Sequence, residues 1–183
     1  LAKQVRKWII PGSIFEKTEN GDGAYNTAVL INPEGKIVLR YRKVFVPYPL
    51  DPSTPGNDFP VYEIPDYGKV GLLICSDGHA PETARNLVFN GAEVIIMPSM
   101  HPAFIGNVRN HVAICQARAI ENQCYMISVN QAAPGGLGHT CACDPEGRII
   151  EELDDSEGFV FVTVDFDEVK RIRNNGSFLT FQF

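Results

Sequence analysis

From Val70 to Cys75 the chain is almost continuously apolar, the pattern of a strand buried on both faces. The run stops at a cysteine, and the polar Ser76-Asp77-Gly78-His79 follows at once. Pro81-Glu82 suits the first turn of a helix, with Ala84, Leu87 and Val88 on one face and Gly91 as the stop. Val94 to Met97 reads as the next buried strand. A helix is predicted from Val108 to Asn122, where Val108, Val112, Cys115 and Ala119 form one stripe, and Tyr125 to Val129 reads as another strand. Strand and helix thus alternate, and the fold class is α/β.

The flanking segments read differently. Leu1 to Lys7 has the pattern of a helix end, and Trp8 to Ile14 that of a short buried strand interrupted by Pro11-Gly12. A polar loop is expected from Glu16 to Gly23. Asn26 to Ile31 and Lys36 to Tyr41 form a hairpin across Asn32-Pro33-Glu34-Gly35. The Pro-rich stretch Pro47 to Pro65 is expected to lack regular structure, and a loop of that length in a compact domain tends to be functional. Beyond Gly135-Gly136, antiparallel strands are predicted at Thr140 to Cys143, Arg148 to Glu152 and Phe159 to Val164, with a short helix from Asp167. No linker interrupts residues 1 to 183, which read as a single domain.

Composition narrows the function classes. With 44% hydrophobic and 21% charged residues the chain is globular rather than disordered. No apolar run approaches the roughly 20 residues of a membrane span. A net charge of −6 argues against nucleic acid as a partner and favours a small neutral substrate. The five cysteines are odd in number and widely spread, which points to a reducing cytoplasm rather than a disulfide framework. Asn175-Gly176-Ser177 matches a glycosylation acceptor, a pattern without consequence in that compartment.

Two residues carry candidate chemistry. Cys75 stands where a buried strand gives way to a turn and a helix, the place where an α/β sheet presents reactive groups. Two readings stand for it: a packed core thiol, since free cysteine is among the most buried residue types, or an exposed nucleophile. Lys43 closes the basic strand end Arg40-Tyr41-Arg42-Lys43 and precedes apolar Val44-Phe45-Val46. It is either a solvated strand end or a fixed positive charge that activates a thiol and holds an oxyanion. His139, Cys141 and Cys143 alternate along one strand face, but no fourth ligand follows at a zinc-like spacing, and no metal is expected there. His79, His101 and His111 read as structural; His101, just after a strand, and Tyr48, in the Pro-rich loop, are candidates to contact substrate.

Arg40-Tyr41-Arg42-Lys43, the Pro-rich loop, and then Gly71-Leu72-Leu73-Ile74-Cys75-Ser76-Asp77-Gly78 with Pro81-Glu82 closely resemble the nitrilase, or carbon–nitrogen hydrolase, superfamily. Asn26-Thr27-Ala28, Gly91-Ala92-Glu93, Arg118-Ala119-Ile120-Glu121-Asn122, Asn130 and Asp144-Pro145-Glu146-Gly147 fall in the same order, so the resemblance covers nearly the whole chain. Within the superfamily the chain is most similar to the aliphatic amidase and formamidase branch, through Cys75-Ser76-Asp77-Gly78 and a Pro-rich loop ending in Pro55-Gly56.

The resemblance implies an α-β-β-α sandwich and a Glu-Lys-Cys triad with no metal and no cofactor. Lys43 and Cys75 match two triad members, and the Ser76 N–H matches the oxyanion donor. The glutamate is expected upstream of Leu1, so the sandwich is expected to lack its N-terminal strand and helix; Glu16 and Glu19, in the predicted polar loop, are not substitutes. Asp51 stands eight positions after Lys43, where the branch carries a second glutamate. It is either a carboxylate that orients Lys43 with one methylene less of reach, or turn chemistry before Pro52. The implied reaction is hydrolysis of a small amide to acid and ammonia through a cysteine thioester. Nitriles and N-carbamoyl compounds are alternatives, as is a non-catalytic binding or assembly protein on the same fold. A homo-oligomer is expected.

Overall fold

The computed structural model describes residues 1–102 and 108–175, so Gly176 and Ser177 of the acceptor pattern lie outside the described residues. After α1 (Ala2–Val5), three antiparallel strands form one sheet in the order β1 (Ser13–Lys17), β2 (Ala24–Ile31), β3 (Ile37–Arg42). The β2–β3 hairpin closes as expected. Asn32 accepts hydrogen bonds from the Glu34 and Lys36 N–H groups, and Gly35 takes φ +81°.

The larger sheet has six strands in chain order: β4 (Val61–Ile64), β5 (Gly68–Leu72), β6 (Val94–Ser99), β7 (Tyr125–Asn130), β8 (Cys141–Cys143) and β9 (Ile149–Glu152). Its centre, β5-β6-β7, is parallel, and antiparallel strands complete both sides. The crossovers are α2 (Pro81–Phe89) and α3 (Val108–Asn122), at the predicted positions; α4 (Phe166–Asn174) follows near the C-terminus.

Strand alternation assigns the faces. Ile95 and Met126 belong to the cluster that holds Leu87 of α2, Ala92 just beyond it, and Cys115 and Ala119 of α3, and a Cβ on their ladder neighbour Gly71 would meet Leu87 and Ala92. Their neighbours Val70, Val94 and Tyr125 point the other way, onto Val169 of α4. The three-stranded sheet joins the first cluster through Ala28, Leu30, Leu39 and Tyr41, so both sheets share one core.

Four expectations need correction. The first strand begins at Ser13 rather than Trp8 and is largely exposed, because Pro11 and Gly12, at φ +108°, break the chain; only Ile9 bridges to Ile31 before that point. Glu16 therefore lies in a strand, where it pairs with Arg42 and accepts from the Thr27 hydroxyl. The Pro-rich stretch contains β4, since Pro60 and Pro65 bracket the strand without entering it. Residues Phe159 to Val164 are extended but have no ladder partner among the described residues, and Phe159 and Phe161 are 79% and 86% exposed. Finally, β5 ends at Leu72, three residues before Cys75, which frees the cysteine from the sheet.

Candidate active site

Lys43 follows directly on β3. Its N–H donates to the Asn26 carbonyl at 2.8 Å, extending the ladder by one step, and its carbonyl accepts from the Gly56 N–H at 2.7 Å, which folds the Pro-rich loop back onto the strand end. That return requires glycine: a Cβ at residue 56 would lie 2.3 Å from the Arg42 carbonyl oxygen. The loop places Asp51 Oδ2 at 2.7 Å from Lys43 Nζ, with the lysine side chain only 4% exposed. Burial pushes the Asp51 carboxyl up, but the hydrogen bonds from Lys43 and Ser53 outweigh it and hold the carboxyl down at about 2. Lys43 and Asp51 are thus a little-exposed ion pair in which the carboxylate fixes the direction of the ammonium.

The cysteine sits on a sharp turn. Ile74 is extended, Cys75 takes φ +50°, and a 3-10 turn runs from Cys75 to His79. A non-glycine residue in the left-handed region stores strain that surrounding contacts must hold, here of order 1–3 kcal/mol. Asp77 supplies much of the holding. Its fully buried carboxylate accepts from the Ile74 N–H (2.9 Å), the Tyr41 hydroxyl (2.8 Å), and the Val44 and Phe45 N–H groups (3.2 and 2.7 Å). One side chain therefore ties the cysteine turn to the segment that follows Lys43. The Ser76 hydroxyl donates to the Phe45 carbonyl at 2.8 Å and repeats the tie. Arg118 Nε donates to the Gly78 carbonyl from α3, and Gly78 lies so near Met97 that a Cβ there would be 2.9 Å from the sulfur.

Removing Asp77 would leave a phenol and three N–H groups without their buried acceptor, each at a cost of about 1–3 kcal/mol. Asp77→Ala is therefore expected to destabilise the fold by at least about 3 kcal/mol, read from the urea midpoint. A loss below about 1 kcal/mol would show that Asp77 does not hold the turn.

An open cleft of about 950 Å³ brings these groups together, lined by Lys43, Asp51, Cys75, Ser76 and His101 among others. Cys75 is partly exposed, while Cys115, Cys124, Cys141 and Cys143 are fully buried. The Cys75 thiol points toward the Met100 carbonyl, 3.6 Å away. His101 forms part of the wall. Its N–H donates to Asn130 Oδ1 (3.0 Å), Asn130 Nδ2 donates to the Gly138 carbonyl, and burial draws the imidazole down to about 4, so it is neutral at pH 7. Tyr48 is not among the lining residues and is 86% exposed. His139 pairs with Glu152 and does not join Cys141.

The sequence singled out Cys75, Lys43 and Asp51, which line one cleft, but gave no role to Asp77 or Asn130. The signal for Asp77 was a carboxylate two residues past the cysteine, at the end of an apolar run where burial demands partners. For Asn130 the signal was a polar side chain ending strand β7.

Residues 1–174 match the family model for carbon–nitrogen hydrolases. The chain belongs to that family. Among curated relatives of this hydrolase, a deaminated glutathione amidase of Synechocystis is 32% identical over 193 residues, covering 94% of this chain and 70% of the relative. The deaminated glutathione amidase of Dictyostelium discoideum is 33% identical, covering 96% and 66%, and an (R)-stereoselective amidase of Pseudomonas is 38% identical, covering 85% and 57%. The chain thus spans between 57% and 70% of the length of these proteins. Among solved structures, Saccharomyces cerevisiae Nit3, a member of branch 10 of the nitrilase superfamily, superposes with a TM-score of 0.86 at 27% identity, over 99% of this chain and 68% of that one. The carbon–nitrogen hydrolase of Helicobacter pylori superposes at 0.83 and 26% identity, over 95% and 67%. The fold is that of the nitrilase superfamily.

Proposed function

We propose that this carbon–nitrogen hydrolase cleaves the amide bond of a small neutral amide by acyl transfer to Cys75. The observation that carries the reading is the convergence, in one cleft, of a buried Lys43–Asp51 pair with a thiol held on a strained turn. Cys75, as thiolate, attacks the amide carbon. Negative charge gathers on the former carbonyl oxygen, where the Lys43 ammonium and the Ser76 N–H hold it. The C–N bond then breaks, the amine takes a proton and leaves as ammonia, and water attacks the thioester to give the acid and return the thiol. The amidase names of the relatives support amide chemistry; formamide and short aliphatic amides are the first substrates to try, with N-carbamoyl compounds and nitriles next. His101, a neutral ring on the wall, is suited to contact an uncharged substrate, whereas Tyr48 stands outside the cleft lining. A cytoplasmic homo-oligomer fits the free cysteines and the exposed apolar residues.

The reaction needs a proton acceptor. Among the described residues lining the cleft, Asp51 is the only carboxylate, and its hold on Lys43 keeps it at about 2, too acidic to take a proton near neutral pH. The resemblance to carbon–nitrogen hydrolases implies a glutamate for this part, and none lines the cleft among the described residues. The same observation favours one second reading, a protein that binds or assembles without turnover.

Ammonia release from formamide and acetamide separates the two. A chain beginning at Leu1 should be slower by roughly 10² to 10⁴ than the same chain with its natural preceding residues, the usual worth of a positioned base. Equal multiple-turnover activity would make Asp51 the base. No activity in the longer chain, on any of these substrates, would favour the binding protein.

A further inference from the structure

Behind the cleft wall, three side chains with soft or borderline donor atoms converge. His111 and Cys115 lie one turn apart on α3, and Cys141 faces them from β8; one ligand atom from each lies within 4.8 Å of the others. We propose that His111, Cys115 and Cys141 form a buried binding site for Zn²⁺, with Cys143 as the fourth ligand.

The chemistry of the donors selects the ion. Sulfur and imidazole nitrogen are the ligands that zinc takes in closed tetrahedral sites, whereas calcium and magnesium require oxygen. Cys143 lies two residues beyond Cys141 on the same strand face; it stands outside the close group of three, and its side chain must turn toward the ion to complete the tetrahedron. All three sulfurs are fully buried and His111 is 3% exposed, so the site is closed to solvent as a structural site must be. Three thiolates and a neutral imidazole are the donor set of a closed Cys3His zinc centre, which carries one net negative charge, and the three thiol protons pass to solvent as the ion enters. The outer partner is in place as well. Ser128 Oγ lies 3.2 Å from His111 Nε2, the kind of hydrogen bond that orients a metal-ligating imidazole.

The site also has a consequence for the cleft. The His111 ring packs 4.6 Å from that of His101, a residue of the cleft wall. An ion joining α3 to β8 would therefore stiffen the layer on which His101 rests. This inference does not depend on the hydrolytic reading, and the competing account is a plain core of packed thiols.

Cobalt is the probe, because thiolate ligands give Co²⁺ an intense near-ultraviolet charge-transfer band. The natural full-length protein carrying Cys75→Ala, which removes the cleft thiol, is reduced, stripped with a chelator and titrated with Co²⁺. The expected result is one equivalent per chain with the thiolate band, displaced by Zn²⁺. Added Cys115→Ala or Cys141→Ala should weaken binding by at least about 10²-fold and reduce the band, as loss of a direct ligand must exceed the 10- to 100-fold worth of an outer partner. His111→Gln, which keeps a polar group of similar size, should also weaken binding, and Cys124→Ala, a buried thiol outside the cluster, should not. Circular dichroism identifies variants that fold, and His111→Gln carries the test if a cysteine variant does not. Sub-stoichiometric binding, a spectrum of oxygen ligation alone, or unchanged binding in the folded cluster variants would overturn the proposal.

Discussion

Cys75→Ala in the full-length protein should abolish ammonia release while leaving the fold intact. The side chain is small, partly exposed, outside both sheets and at the edge of the core, so its loss removes one peripheral sulfur and opens no enclosed cavity. Acyl transfer without it has no covalent intermediate. Where nucleophile, base and oxyanion donors act as a unit, removing the nucleophile costs on the order of 10⁴-fold or more in kcat, and what remains is the contribution of binding and oxyanion stabilisation. The variant should therefore still bind substrate with little change in affinity. Residual turnover within about tenfold of the parent would mean that another group attacks the amide.

Lys43→Ala should cost at least about 10²-fold in kcat, since one oxyanion donor is typically worth that much. The variant also strands the Asp51 carboxylate, whose low pKa depends on Lys43, so a loss of stability accompanies the loss of rate. Asp51→Asn separates these effects. It removes the orienting charge but leaves the ammonium and the thiol, so its loss in kcat should be smaller than that of Lys43→Ala. The pH dependence has a defined sign. Asp51 is lowered from 3.8 to about 2 in the folded protein, so its contribution to stability is fully present above pH 4 and is lost as pH falls through 2. An Asp51→Asn variant as slow as Lys43→Ala would promote Asp51 from orienting group to participant in the reaction.

The parts of the fold that were legible in the sequence are those governed by local periodicity. Helix α3 spans Val108–Asn122 as its apolar stripe predicted, and the parallel strands β6 and β7 fall on the predicted apolar runs, whereas β5 overlaps its run only from Val70 to Leu72. Strand β4 was hidden because two prolines flank it, and nothing local distinguishes a proline that ends a strand from one that prevents it. The opposite error at Phe159 to Val164 arose because a run of aromatic and β-branched residues favours an extended chain but does not specify a partner. For the site, the cysteine and lysine stood out by their position at the ends of apolar runs. The pairing of Lys43 with Asp51 and the four hydrogen bonds to Asp77 depend on how the Pro-rich loop and the segment after β3 fold back over the nucleophile turn. Contacts across such separations leave no periodic trace.

The central claim is that Cys75 is the nucleophile and Lys43 its electrostatic partner, and an activated ester tests it directly. p-Nitrophenyl acetate has a leaving group that departs without a proton, so acylation can be read even in a chain beginning at Leu1. Brief exposure followed by proteolysis and mass spectrometry locates the acetyl group. It is expected on the peptide containing Cys75, absent in Cys75→Ala, and formed at least about 10-fold more slowly in Lys43→Ala. Acetylation of Cys115 or Cys124 in preference to Cys75, or an undiminished rate in Lys43→Ala, would contradict the account.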